Sequence, residues 1–220
     1  TLDNTKRISM ATDNLGQWVL EKGYASEGHD SAHPDYGGNE NVRAGGWKDL
    51  NRLTRTGAGY NADFAVHVNA TEAYAQAKTF TEDMVEGQPD GWDWLNQAYH
   101  IDQRKDLGTG AVLDRFKQLR KDAPGIKTVY IDAYYSSGWL ADGLAAELRK
   151  MGFEVATEWA YKFEGSSVWS HWAADKNYGG ATNKGINSNI VRFIANADRD
   201  VWNVDPLLGG ASVVEFEGWT

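Results

Sequence analysis

The sequence contains no cysteine, which excludes a disulfide framework and a thiolate zinc site. It has no run of about 20 apolar residues, the length that a bilayer-spanning helix needs, and its start, TLDNTKRISM, lacks the pattern of a signal peptide. Basic residues are outnumbered, 22 against 31 acidic ones, and the net charge of −9 repels phosphate backbones. We therefore expect a soluble chain, cut from a longer protein, that does not bind nucleic acid.

Aromatic residues, in contrast, are abundant. Ten Trp and ten Tyr in 220 residues, with 24 Gly, exceed what a core of this size needs. Flat rings in excess indicate a surface that stacks on a ligand, and sugars are one candidate because a pyranose presents an apolar C–H face. The alternative is that the rings fill the core and cover a partner surface.

The most regular stretch of the chain lies between residues 127 and 159. KTVYIDAY and FEVATEW each predict a buried strand. Between them, Ser136 and Ser137 offer hydroxyls for a helix N-cap, and Gly152 supplies a left-handed stop. The apolar residues of the intervening segment recur at helical spacing: Leu140, Leu144, Leu148 and Met151. Together these segments predict a βαβ unit with parallel strands.

The same alternation extends over the rest of the chain. Three more strands are predicted upstream, in KRISMAT, YASEGHD and ADFAVHVNA. Helices are predicted in NLGQWVLEKG, in GGWKDLNRLTRTG and over residues 106 to 121, where Val112, Phe116 and Leu119 form an apolar stripe. Downstream, SVWSHWAAD predicts a short strand, and a last helix is marked by Ile186, Ile190, Val191 and Ile194.

These elements form about six βα repeats without the glycine fingerprint of a doubly wound sheet, which favours a (β/α)8 barrel over a Rossmann fold. Because six repeats are too few to close eight strands, we expect the barrel to be distorted and incomplete in this chain. The glycine-rich segments GGNENVRAGG and YGGATNKG match no phosphate-binding pattern and are interpreted as loop hinges or turns.

Two acidic residues, Asp132 and Glu158, each end a predicted strand and are followed by aromatic residues. The carboxyl ends of barrel strands form one rim, and neighbouring strands lie about 4.8 Å apart. The two carboxyl groups could therefore stand about 5 to 9 Å apart, the range that glycoside hydrolases use. Such chemistry needs one ionised carboxylate and one protonated acid. Glu158, between EVAT and Trp159, has the more apolar context and is the better acid; alternatively, each acid caps a helix or pairs with an arginine.

Several separated blocks cover nearly the whole chain: ATDNLGQWVLEKGYASEGHDSAHPDYG, ADFAVHVNATEAY, GWDWLNQAYHID, VYIDAYY, EVATEWAY, HWAADKNYGGATNKGINS, PLLGG and FEGW. In this order they resemble the endo-α-N-acetylgalactosaminidases, glycoside hydrolase family 101, bacterial enzymes that remove O-linked Galβ1-3GalNAc from Ser or Thr of mucin-type glycoproteins. The resemblance implies a distorted (β/α)8 barrel and a retaining reaction through a covalent glycosyl-enzyme. It places the nucleophile on Asp132 and the acid/base on Glu158, and it implies no cofactor.

The resemblance also nominates residues that contact the sugar. The EGHD block implies hydroxyl contacts from His29 and Asp30. His67 and Asn69, in HVNAT, end a predicted strand on the same rim. For His67, whose neighbours are apolar, a hydrogen-bonded core histidine remains an equal alternative.

Three tryptophans complete the predicted substrate-binding set. Trp92 and Trp94 match a mobile aromatic lid over the disaccharide, although packing alone would also explain them. Trp159 follows the candidate acid directly. The segment between Asp132 and Glu158 is shorter than the family pattern, which leaves the site open or incomplete.

Members of the family are large multidomain proteins, secreted or held at the cell surface. The resemblance therefore implies that residues 1–220 are the catalytic barrel domain, or a fragment of it, cut from a larger extracellular protein. Its implied partner is an O-glycosylated, mucin-type glycoprotein.

Two other functions remain open on the sequence. The segment GHDSAHPD supplies His29, Asp30, His33 and Asp35 at close spacing, which would suit a metal-dependent hydrolase. An aromatic-rich barrel remnant could also bind glycans without cleaving them. We expect no metal in catalysis, because an acid pair performs its own proton transfer.

Overall fold

The computed structural model of the chain describes residues 1–159, 162–163 and 165–171. Within these ranges the strands are β1 (Gln17–Glu21), β2 (Ala62–Asn69), β3 (Glu72–Ala73), β4 (Tyr99–His100), β5 (Thr128–Asp132), β6 (Glu154–Thr157) and β7 (Ser167–Ser170). The helices are α1 (Leu2–Ala11), α2 (Gly46–Ala58), α3 (Gln103–Thr109), α4 (Ala111–Asp122) and α5 (Trp139–Lys150). No helix of these ranges is long and apolar enough to cross a membrane.

Five strands form one parallel sheet in the order β1-β2-β5-β6-β7, and β3 and β4 form a small antiparallel pair. Helix α2 connects β1 to β2, α3 and α4 lie between β2 and β5, and α5 connects β5 to β6. An irregularity between Val155 and Ala156 shifts the pairing of β6 with β7. The described residues thus form part of a distorted (β/α)8 barrel, as predicted.

Alternate residues of the central strands face opposite sides of the sheet. On β2, Phe64 and Val66 pack into the main core, together with side chains of α4 and α5. Ala65, between them, joins a second cluster on the other side. His67 and Asn69 lie two and four residues after Ala65 and therefore face the same side of the sheet. On β5, Asp132 alternates with Tyr130 in the same way and faces that side too. The carboxyl ends of the strands therefore direct polar side chains into the barrel interior.

The predicted βαβ unit is confirmed as β5, α5 and β6, with parallel pairing between the two strands. The predicted serine caps were wrong. Helix α5 begins at Trp139 after Gly138, whose φ is 58°, and no side chain caps it. The backbone N–H of Ser136 instead donates to Gln103 Oε1 at 2.9 Å, which holds this segment outside the helix.

The predictions before residue 31 were wrong in type. Helix α1 contains most of KRISMAT, and β1 lies where a helix was predicted. Pairing with β2, from Gln17 opposite Ala62 onward, decides the conformation of β1. YASEGHD forms a loop because Ser26, Gly28 and Asp30 have φ values of 51°, 138° and 58°, which a strand does not allow.

The remaining predictions divide clearly. The strand ADFAVHVNA, the helix GGWKDLNRLTRTG and the strand in SVWSHWAAD are confirmed as β2, α2 and β7. The helix predicted over residues 106 to 121 is two helices, because Gly110, with a φ of 81°, separates α3 from α4. The helix predicted from Ile186 to Ile194 lies outside the described residues.

Candidate active site

The carboxyl ends of β2, β5 and β6 open into a cavity of about 510 Å³. Every residue that the sequence assigned to catalysis or sugar binding lines it. These residues are His29, Asp30, His67, Asn69, Trp92, Trp94, Asp132, Glu158 and Trp159. The fold therefore gathers one candidate site from five separated parts of the chain.

The two acids are next to each other across the sheet. Thr157 pairs with Ile131, so that Glu158, the residue after β6, lies beside Asp132 at the end of β5. The backbone N–H of Ala133 donates to Glu158 Oε2 at 3.0 Å, and the N–H of Glu158 donates to the carbonyl of Ile131 at 3.1 Å. The side chains of Asp132 and Glu158 are therefore neighbours at the mouth of the barrel, and the separation of 5 to 9 Å stays a prediction.

Burial and nearby negative charges raise the pKa values of Asp132 and Glu158 to different extents. Burial, the negative charge of Asp132 and the contact between the two carboxyl groups raise the pKa of Glu158 to about 8. Burial and the charge of Asp30 raise the pKa of Asp132 to about 6, while its contact with Glu158 opposes that rise. Glu158 therefore keeps its proton to higher pH than Asp132, which is the order that an acid and a nucleophile require.

His67 lies between two carboxylates. Its Nε2 is 3.7 Å from Asp132 Oδ1 and its Nδ1 is 3.8 Å from Asp30 Oδ1, both too long for a hydrogen bond. The ring stacks on Tyr130 with centroids 5.4 Å apart. Burial lowers the pKa of His67 to about 3, so the imidazole is neutral. The His67 side chain is buried, at 5% exposed, and it also lines the cavity.

Asp30 is surrounded by histidines. His29 Nε2 lies 3.2 Å from its Oδ2, and His33 Nε2 lies 3.3 Å from its Oδ1. Burial raises the pKa of Asp30, but the bond from His33 and the charges of His67, His33 and His29 outweigh burial and lower it overall. Asp30 is therefore an ionised carboxylate at the mouth of the barrel.

The four residues of GHDSAHPD that were considered as alternative metal ligands do not all come together. Asp35 turns away from the histidines and accepts hydrogen bonds from the backbone N–H groups of Lys78 and Thr79, from the Thr79 hydroxyl and from Asn39. Among the described residues, the group with ligand atoms close enough to hold a metal is His29, Asp30 and His67.

Glu72 is a buried acid that the sequence did not reveal. Its Oε2 accepts a hydrogen bond from Asn69 Nδ2 at 3.1 Å, and its Oε1 accepts one from the backbone N–H of Trp92 at 2.6 Å. Asn69 Nδ2 also lies 3.5 Å from Asp132 Oδ2. Glu72 thus connects the segment that carries the exposed tryptophans to the end of β2 and to the acid pair.

Aromatic rings form the outer part of the site. Trp92 and Trp94 are 63% and 59% exposed, and Trp159 packs against Tyr135 with centroids 5.5 Å apart. Sequence reasoning named His33 only as a candidate metal ligand, and the lining residues that it missed are Lys22, Glu72, Tyr74, Tyr130, Ala133, Tyr135 and His171. Tyr130 shares the parity of Asp132 on β5 and could have been found from alternation, whereas Glu72 and Tyr74 follow no periodic pattern.

A partial (β/α)8 barrel with paired carboxyl groups at adjacent strand ends is the architecture of a barrel glycosidase. Comparison with known proteins makes this specific. The chain belongs to the endo-α-N-acetylgalactosaminidase family, glycoside hydrolase family 101, whose model matches residues 1–220. A putative endo-α-N-acetylgalactosaminidase of Renibacterium salmoninarum is 49% identical over 221 residues. The match covers 100% of this chain and 15% of that relative, so the chain spans a small part of the curated relative.

Solved structures share the fold at lower identity. The α-N-acetylgalactosaminidase NagBb from Bifidobacterium bifidum, in complex with GalNAc, superposes with a TM-score of 0.65 and 18% identity, covering 86% of this chain and 34% of that one. The maltogenic α-amylase AmyB from Thermotoga neapolitana superposes with a TM-score of 0.54 and 9% identity, covering 71% of this chain and 41% of that one. These likenesses confirm the predicted fold class.

Proposed function

We propose that this chain is the catalytic portion of a retaining glycoside hydrolase that releases Galβ1-3GalNAc from Ser or Thr of mucin-type O-glycoproteins. The observation that carries the proposal is the pair Asp132 and Glu158, adjacent at two strand ends and differing in pKa. Family membership supplies the substrate class.

The geometry supports a division of roles between the two acids. The Asp132 carboxylate attacks the anomeric carbon while the proton of Glu158 moves to the glycosidic oxygen, so that the leaving Ser or Thr departs as an alcohol. Glu158 then accepts a proton from water, which attacks the glycosyl-enzyme and frees Asp132. Inverting enzymes separate their carboxyl groups by about 6.5 to 9.5 Å to admit a water molecule. Retaining enzymes hold theirs about 5 to 5.5 Å apart, and the adjacent strand ends that carry Asp132 and Glu158 favour this shorter spacing.

The remaining residues of the cavity would bind and orient the disaccharide. Asp30, ionised and partly buried, and the neutral His29 are suited to hydroxyl groups, which both donate and accept hydrogen bonds. Trp92 and Trp94, exposed at the rim, offer faces for the sugar rings. We place the whole protein outside the cell or at its surface, where O-glycosylated proteins occur.

The direct test is release of disaccharide from an aryl α-glycoside of Galβ1-3GalNAc. We expect release by the parent protein, none by Asp132→Asn, and no loss of activity after treatment with a chelator. Binding of the disaccharide without any release would instead support a glycan-binding remnant. Activity that is lost on chelation and restored by zinc or calcium, without a change of fold content, would contradict the two-acid chemistry.

A further inference from the structure

Three side chains in the cavity have the arrangement of a metal site. The candidate ligand atoms of His29, Asp30 and His67 all lie within 4.8 Å of one another. His29 Nε2 is 3.2 Å from Asp30 Oδ2, and His67 Nδ1 is 3.8 Å from Asp30 Oδ1. Ligand atoms around tetrahedral zinc, at bond lengths of about 2.0 to 2.2 Å, are separated by about 3.3 to 3.6 Å. The two observed separations, each to a different oxygen of Asp30, lie on either side of that range.

The protonation states suit a cation. Burial lowers the pKa of His29 to about 4 and that of His67 to about 3, so both imidazoles keep a nitrogen lone pair at neutral pH. Asp30 is ionised, and its ion-pair partners among the described residues are histidines, with no Lys or Arg within 4 Å. A carboxylate that is only 17% exposed and lacks a permanent cation favours any divalent ion that can reach it.

The ligands are also held in place before a metal arrives. His67 belongs to β2 and stacks on Tyr130, and the ring of His29 meets His67 edge-on with centroids 4.6 Å apart. Asp30 adopts a left-handed backbone conformation, with φ of 58°, within a loop fixed by the bond from Ser31 N–H to the carbonyl of Gly28. A site whose ligands are already ordered loses little entropy on binding.

We propose that His29, Asp30 and His67 bind one zinc ion in competition with the sugar, which makes zinc an inhibitor of this protein. The ion would occupy the groups that the disaccharide needs. His67 would bind the ion through Nδ1, which faces Asp30, while Nε2 of the same ring faces Asp132. The inference goes beyond the proposed hydrolysis, which uses these side chains without a metal.

Calorimetric titration of the metal-free protein with zinc tests the site directly. We expect one ion per chain, and at least a tenfold weaker affinity for His29→Gln and for His67→Gln. His100→Gln is the matched control, because His100 Nδ1 lies 3.2 Å from Asp90 Oδ1 without a third ligand, and it should bind zinc like the parent. Undiminished affinity in both active-site variants, or no binding by the parent, would overturn the proposal.

A second measurement needs no variant and therefore does not depend on their folding. X-ray absorption at the zinc edge of the parent complex should show two imidazole nitrogens in the coordination shell, and a shell of oxygen alone would contradict the assignment. In kinetic assays, zinc at about nine times its dissociation constant should raise the apparent KM about tenfold without changing kcat. A fall in kcat at unchanged KM would exclude competition. Because the titration needs no turnover, failure of the proposed hydrolysis would leave its result intact.

Discussion

Replacement of Glu158 by glutamine should remove the acid while it preserves the shape of the site. The amide oxygen of Gln can still accept the hydrogen bond from Ala133 N–H, which Glu158 Oε2 accepts at 3.0 Å in the parent. The amide NH2 can donate to the neighbouring carboxylate of Asp132. The substitution therefore deletes one function, proton transfer to the leaving oxygen, and leaves the nucleophile in position.

The size of the effect should depend on the leaving group. General acid catalysis contributes about 10²- to 10⁴-fold, which corresponds to about 2.7 to 5.4 kcal/mol of barrier. We expect a loss of that size for formation of the intermediate from a Ser-linked substrate, whose alkoxide needs a proton. A nitrophenyl glycoside, whose phenolate leaves unaided, should form the intermediate at nearly the parent rate.

The assay is rapid mixing with the nitrophenyl glycoside of Galβ1-3GalNAc. Glu158→Gln should give a burst of nitrophenol followed by slow turnover, because the same residue must activate water in the second step. Azide should restore turnover and yield an α-glycosyl azide. Asp132→Asn should give no burst with any leaving group. A burst from the Asp132 variant, or equal losses on both substrates for the Glu158 variant, would show that the roles are reversed or that the carboxylates are structural.

Three further expectations follow from the structure. The pH profile of kcat/KM should be bell-shaped, rising near pH 6 as Asp132 loses its proton and falling near pH 8 as Glu158 loses its own; a profile flat between pH 5 and 9 would contradict the pair. Gly37→Ala should lower the free energy of unfolding by about 1 to 3 kcal/mol, because the new Cβ would approach the backbone of α4, whereas Gly108→Ala, which meets nothing within 4 Å, should not destabilise the protein in the same denaturation experiment. Glu72→Gln replaces one of the two carboxylate oxygens that accept hydrogen bonds from Asn69 and from the N–H of Trp92, and it should raise KM more than it lowers kcat. An unchanged KM would show that Glu72 does not position the tryptophan segment for substrate binding.

The parts of the fold that sequence reasoning predicted are those in which local pattern and packing agree. The apolar residues of β5 and β6 follow a strand pattern, those of α5 follow helical spacing, and all three elements place apolar side chains in the same core. For β1 the local pattern is ambiguous, because Gln17–Glu21 contains residues compatible with either type, and pairing with β2 decides the outcome. The YASEGHD loop was missed because its positive φ values fall on Ser26 and Asp30 as well as on glycine.

The site divides in the same way. Asp132, Glu158, His67 and Asn69 were predicted because the rule that parallel strand ends form one rim needs only the strand limits. Glu72 could not be predicted, because its strand has only two residues and shows no periodic pattern. Its link to the site is a hydrogen bond from Asn69, which only the folded structure shows. The apolar context of Glu158 predicted the direction of its pKa, but the charge of Asp132 contributes as well and depends on a contact that only the fold provides.

The carboxyl groups that line the cavity favour both the proposed acid catalysis and the proposed zinc binding. Asp30, Glu72, Asp132 and Glu158 line it, and Lys22 is the sole Lys or Arg among the described lining residues. Burial and this negative environment raise the pKa of Glu158, and in the proposed reaction the same environment would stabilise the positive charge that develops at the anomeric carbon. Zinc carries positive charge into the same field, which is why a site built for an oxocarbenium-like sugar should also attract a divalent ion. A substitution that makes this field less negative should therefore weaken zinc binding and lower the pKa of Glu158 together.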